Sequence, residues 1–182
     1  TAYPRRNVYV LTWKGRAPSP AEPLTSEAEP RRAGFVRVDR PLLYVASAPP
    51  GTDPWLWDQL APGFGTWPYE WDPSAGTFDL PGWPDGAATP VPVRLRFQGM
   101  TGHRHLVSVH LNGESLGELA IDGASSAWLE ASASQVRAAG NDLRIDYATE
   151  DGDPDGYAYL DYLELARPEG WRDPAIVATP RA

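Results

Sequence analysis

His105-Leu106-Val107-Ser108-Val109-His110-Leu111-Asn112-Gly113 decides the fold. His105, Val107, Val109 and Leu111 alternate with Leu106, Ser108 and His110, the period of a strand that turns one face to a core. Asn112-Gly113 then supplies two residues that tolerate the positive φ of a type I′ turn, so the chain is expected to reverse as a hairpin and return through 116–121. The same period runs outward from this pair. In 91–97, Val93, Leu95 and Phe97 face one way while Arg94, Arg96 and Gln98 face the other. Residues 128–133, 142–148 and 157–166 read as further strands, and 134–139 as one helical turn stopped by Gly140-Asn141. In the first half the strand candidates are 7–13, 35–39, 42–47 and the short 77–80. Residues 16–32 carry Pro18, Pro20, Pro23 and Pro30 and read as a long surface loop. Nine or ten short strands without a long helical pattern predict an all-β antiparallel β-sandwich. No internal repeat is visible. The expected layout is one domain over 1–168 with long Pro/Trp-rich loops, and a tail or linker over 169–182.

Composition limits what this sandwich can do. Among 182 residues there are 20 Pro and 17 Gly, about one in five, rich in turns but below the ~25–30% of low-complexity chains. Hydrophobic residues at 42% and aromatics at 11% are enough to build a core. Zero Cys excludes a disulfide scaffold, a thiolate zinc site and a thiol nucleophile within the chain. A net charge of −8, with Lys14 the sole lysine, argues against a nucleic-acid partner, because an acidic surface repels phosphates. No stretch approaches the ~18 apolar residues of a membrane span, so no membrane partner is expected. The opening Thr1-Ala2-Tyr3-Pro4 reads as part of a longer polypeptide.

Three stretches carry a family resemblance. The first runs His103-Arg104-His105-Leu106-Val107-Ser108-Val109-His110-Leu111-Asn112-Gly113 and on through Leu116-Gly117-Glu118 and Asp122-Gly123. The others are Ala139-Gly140-Asn141-Asp142-Leu143-Arg144-Ile145 and Tyr159-Leu160-Asp161-Tyr162-Leu163-Glu164-Leu165. Together they resemble the galactose-binding-like jelly rolls attached to glycosidases and other extracellular enzymes. With Asn7-Val8-Tyr9-Val10-Leu11-Thr12-Trp13 added, they resemble the β-sandwich that precedes the catalytic domain of gingipain-type cysteine peptidases. The chain has Asp161-Tyr162 where that pattern has Asp-Trp. The resemblance covers about 1–13 and 91–167. It implies a non-catalytic accessory module in a secreted or cell-surface bacterial protein, with the catalytic Cys and His on a neighbouring domain of the same polypeptide.

Several groups of residues are candidates for chemistry. Trp55, Trp57, Trp67, Tyr69 and Trp71, with Trp83 beyond them, form an aromatic cluster. Exposed indoles stack on pyranose faces, and Asp53, Asp58, Glu70 and Asp72 are placed to accept hydrogen bonds from sugar hydroxyls. In an extended chain Trp55 and Trp57 point to one face, which makes them the sharpest candidates for glycan contact. The alternative is that these rings pack a long irregular segment onto the sheet. Asp151, Asp153 and Asp155 in Asp-Gly-Asp-Pro-Asp-Gly place three carboxylates on one turn, a candidate calcium loop. An EF-hand is excluded, since its twelfth position is Tyr162 and no helices flank it. The alternative is a solvated acidic hairpin turn. His103 and His105 share an HxH spacing able to grip zinc, although His105 also falls on the apolar face of its strand and His110 has the opposite parity. Arg94 and Arg96, set against Arg144 and Asp146 on presumed neighbouring strands, read as a solvated outer face.

No nucleophile elbow and no phosphate-binding Gly loop occurs, so no catalytic residue is assigned and the chain reads as a non-enzyme. The expected role is a non-catalytic module of a larger secreted protein, packing on or positioning a neighbouring catalytic domain. The alternatives are a carbohydrate-binding module with a Trp platform and structural calcium, and a glycan-active hydrolase.

Overall fold

The computed structural model describes residues 34–40, 43–46, 48, 54–62 and 74–171. The expected strand 7–13, the loop 16–32, and Trp67, Tyr69 and Trp71 lie outside the described residues. Among the described residues there are eleven strands and no helix. They are β1 (Phe35–Asp39), β2 (Leu43–Tyr44), β3 (Trp55–Leu56), β4 (Asp58–Leu60), β5 (Ser74–Phe78), β6 (Val91–Gly99), β7 (Arg104–Leu111), β8 (Glu114–Asp122), β9 (Ser126–Ala133), β10 (Asn141–Thr149) and β11 (Ala158–Ala166).

The strands form an antiparallel β-sandwich. One sheet has the order β1-β11-β6-β9, with β4 also paired to β11, and the facing sheet has the order β5-β10-β7-β8. Strands β2 and β3 make a separate two-stranded ribbon. The alternating residues read from the sequence meet between the sheets: Val93, Leu95 and Phe97 on β6, Val107, Val109 and Leu111 on β7, and Leu143 and Ile145 on β10 are all buried. The β7–β8 hairpin turns at Asn112 and Gly113 with φ of 53° and 82°, the left-handed pair that a type I′ turn requires.

Strand β11 lies between β6 on one side and β1 and β4 on the other, and all of Ala158–Leu165 is buried. A central strand covered on both faces loses the polar alternation of an edge strand, which is why 157–166 reads as nearly continuous aromatic and aliphatic sequence. A bulge between Leu160 and Tyr162 resets its parity, so that Leu160, Leu163 and Leu165 all reach the core.

Two expectations fail here. Arg94 and Arg96 do not neighbour Arg144 and Asp146, because β6 and β10 belong to opposite sheets. Arg144 and Asp146 do make an exposed pair, at 2.8 Å within one strand. The outer face of β11 and of β6 around Arg96, however, is buried rather than solvated, while Arg94 is partly buried and Pro92 exposed. Arg96 meets Asp161 at 3.0 Å, Arg37 meets Glu164 at 2.6 Å, and Arg96 lies near the rings of Tyr162 and Trp128. The single helical turn expected over 134–139 is likewise absent. The buried Asn141 side chain organises that connection instead, accepting from Arg137 N at 2.9 Å and donating to Arg137 O at 2.7 Å. This satisfies the backbone without a helix.

Candidate functional site

The Trp55-x-Trp57 pair divides between surface and core. Trp55 is on β3, whose partner is β2, while Asp58–Leu60 crosses to pair with β11. The chain changes sheets at Trp57, whose N–H donates to Leu160 O at 2.9 Å. A continuous strand would have held the two rings on one face; this break sends Trp57 into the core at 1% exposure, edge-on to Phe78. Trp57 is therefore not part of an exposed platform. Trp83 is also buried, against Trp171 at 5.8 Å.

Trp55 remains at the surface, 36% exposed, and its cross-strand partner is Tyr44, 61% exposed. Their ring centroids are 5.1 Å apart with planes tilted by 57°. The pair offers two angled aromatic faces to solvent. Tyr44 lies inside the expected strand 42–47, but nothing in the sequence says which residue would stand opposite Trp55. Asp58, a candidate sugar acceptor, is partly buried on β4 with Oδ1 accepting from Gln59 N at 2.9 Å, and burial raises its pKa.

A second group forms at one end of the sandwich, where the β6–β7 and β10–β11 connections meet. His103 precedes β7, and its Nδ1 is 3.1 Å from Asp151 Oδ2 and its Nε2 4.0 Å from Asp153 Oδ2. One donor atom from each of these three residues lies within 4.8 Å of the others. Asp155 does not join this group. Its N–H donates to Asp153 Oδ1 at 2.8 Å, as Asp153 N–H does to Asp151 Oδ1 at 3.2 Å. These bonds hold one oxygen of each carboxylate and leave the other towards His103. Thr149 Oγ1 donates to Asp153 O at 2.8 Å and tightens the loop. Hydrogen bonds from Asp153 N–H and His103 hold the Asp151 carboxyl below its ordinary pKa.

His105 is not part of that group, so the HxH spacing does not make a two-histidine grip. The His105 ring is fully buried, its Nδ1 is 2.6 Å from the Tyr147 hydroxyl, and the two rings stack at 5.9 Å. Burial lowers the His105 pKa and raises that of Tyr147, which keeps the imidazole neutral and the phenol protonated. His110 instead faces Asp146 at 3.8 Å.

No family model and no curated protein matches the chain. Among solved structures, the CBM36-1 domain of a multidomain xylanase from the hindgut metagenome of Trinervitermes trinervoides is 22% identical over 44% of this chain and 64% of its own length, with a TM-score of 0.33. A carbohydrate-binding module CBM36 in complex with calcium and xylotriose is 16% identical over 44% of this chain and 66% of its own, also at 0.33. Dimeric latent PorU from Porphyromonas gingivalis is 12% identical over 74% of this chain and 12% of its own, at 0.49. The chain spans less than two thirds of each of these molecules. The assignment of an all-β sandwich stands on the strand order and register described above.

Proposed function

We propose that this chain is a non-catalytic accessory module of a larger secreted or cell-surface protein, and that it contacts glycan through Tyr44 and Trp55. The exposed pair carries the reading. Tyr44 is 61% exposed and Trp55 36%, and the ring area they leave open on a two-stranded ribbon is what a ligand face would cover. A pyranose ring presents an apolar C–H face that matches an indole, and the 57° tilt lets Tyr44 flank a sugar lying on Trp55. The acidic surface suits a neutral sugar better than an anionic polymer. A catalytic domain adjoining this segment is the expected neighbour, and the resemblance described above makes a cysteine peptidase the first candidate.

Affinity electrophoresis against soluble polysaccharides, followed by calorimetry on any that retards the protein, tests the reading. Trp55→Ala and Tyr44→Ala are each expected to weaken binding about tenfold, the ~1.4 kcal/mol of one lost ring contact. Tyr44 is 61% exposed, so Tyr44→Ala should keep the thermal unfolding of the parent, whereas Trp55→Ala also removes covered ring area and should lower Tm. Binding unchanged in both, or no retardation by any glycan, overturns the proposal.

A further inference from the structure

We propose that His103, Asp151 and Asp153 form a binding site for a borderline divalent cation of the zinc class, joining the β6–β7 and β10–β11 connections. This is independent of the glycan reading.

The acidic loop alone reads as a candidate calcium turn built from three aspartates. Calcium takes six to eight oxygen donors. The structure gathers a different set, one imidazole nitrogen and two carboxylate oxygens, with Asp155 outside it. A nitrogen donor among oxygens suits zinc and its neighbours, and three protein donors leave a coordination position open to water or an external ligand.

The geometry is close to what such an ion needs. The donor atoms lie within 4.8 Å of one another, whereas a tetrahedral shell with bonds of about 2.0–2.1 Å sets its donors about 3.4 Å apart. Asp151 Oδ2 lies 3.1 Å from His103 Nδ1, and Asp153 Oδ2 lies 4.0 Å from Nε2, the other ring nitrogen. An ion takes one of these two nitrogens, so one carboxylate must swing round the ring to reach it, within the freedom of aspartate side chains that are 58% and 41% exposed.

Charge and location add to the argument. Arg104, the nearest arginine in sequence, is engaged by Glu150 and Asp122. Among the described residues, His103 is the basic side chain that pairs with Asp151 and Asp153. The ligands come from positions 48 residues apart. A bound cation therefore ties two connections of the sandwich together, so its binding must register as stability.

The test is thermal unfolding of the full chain after chelation, with zinc chloride or calcium chloride added back. Zinc at about 100 times its Kd is expected to raise Tm by about 5–10 °C, and calcium at the same concentration by much less. His103→Ala and Asp151→Asn should abolish the zinc shift, while Asp155→Asn and His110→Ala should retain it. Cobalt(II) gives a second readout, visible absorption that His103→Ala removes. A calcium shift equal to that of zinc and insensitive to His103→Ala would establish an all-oxygen calcium turn and overturn the proposal. No shift with either ion would overturn it too, leaving only the hydrogen bond between His103 and Asp151.

Discussion

Arg37→Met tests the most unexpected feature of the sandwich, the charged layer on the outer face of its first sheet. Glu164 is 1% exposed, and its Oε1 accepts from Arg37 Nε at 2.9 Å and Nη2 at 2.6 Å. Removing the guanidinium leaves a carboxylate away from water, a class of change that costs about 3–5 kcal/mol. Methionine keeps much of the aliphatic stem but forfeits the contact of the guanidinium with the Tyr162 ring at 3.8 Å, about 0.5–1 kcal/mol more. One feature works against the loss. Arg94 stands opposite Glu164 in register on β6, with its Nε 3.6 Å from the exposed Glu130, so it can give up that surface pair and turn towards the orphaned carboxylate. The expected destabilisation therefore falls near the lower bound, about 3 kcal/mol. That is about 6–12 °C in Tm for a domain of this size. Urea unfolding should show a lower midpoint at unchanged m. The double variant Arg37→Met/Glu164→Leu should recover most of the loss, because two apolar side chains replace a buried pair at little cost. A single-variant cost below about 1 kcal/mol, or no recovery in the double variant, refutes the view that this pair is buried and coupled.

Two further outcomes follow from local chemistry. Burial raises the Asp58 pKa, so the folded state holds its proton more tightly than the unfolded chain does. The native protein then bears the cost of ionising Asp58 above its folded-state pKa and is free of it below about 3.8. Asp58→Asn, whose amide oxygen still accepts from Gln59 N–H, should equal or exceed the parent in stability at pH 7 and lose that advantage towards pH 3; the opposite trend in urea midpoints would refute the sign. A methyl at Gly156 would stand 2.2 Å from Thr149 Cγ2 and 3.4 Å from His103 Cδ2. Thr149 is buried and bonded to Asp153 O, so Gly156→Ala should cost about 1–3 kcal/mol by calorimetry, and an unchanged Tm would mean that Thr149 moves aside.

Much of the β-sandwich is legible in single stretches of chain. The 91–97 alternation survives as β6, 35–39 is β1, and Asn112-Gly113 makes the hairpin between β7 and β8. These follow from short-range rules, in which side chains alternate along an extended backbone and particular residues accept positive φ. Local period fails where a chain leaves one sheet for another. Trp57 and Trp55 have the same parity on paper, yet the crossing from β3 to β4 buries one and exposes the other.

The candidate sites divide along the same line. The aspartates of 151–155 and the tryptophan at 55 stand out by residue type alone. That His103 would meet Asp151 and Asp153, or that Tyr44 would stand opposite Trp55, depends on pairings between distant segments. The sequence by itself determined an all-β chain, its hairpin turn and its alternating core faces, because those are properties of neighbouring residues. Only the tertiary structure decided which sheet each strand joins, and with it that Arg37, Arg96 and Glu164 are buried on an outer face and which side chains meet at the loop end. Strand order is set by burial summed over the whole molecule, and no single stretch carries that sum.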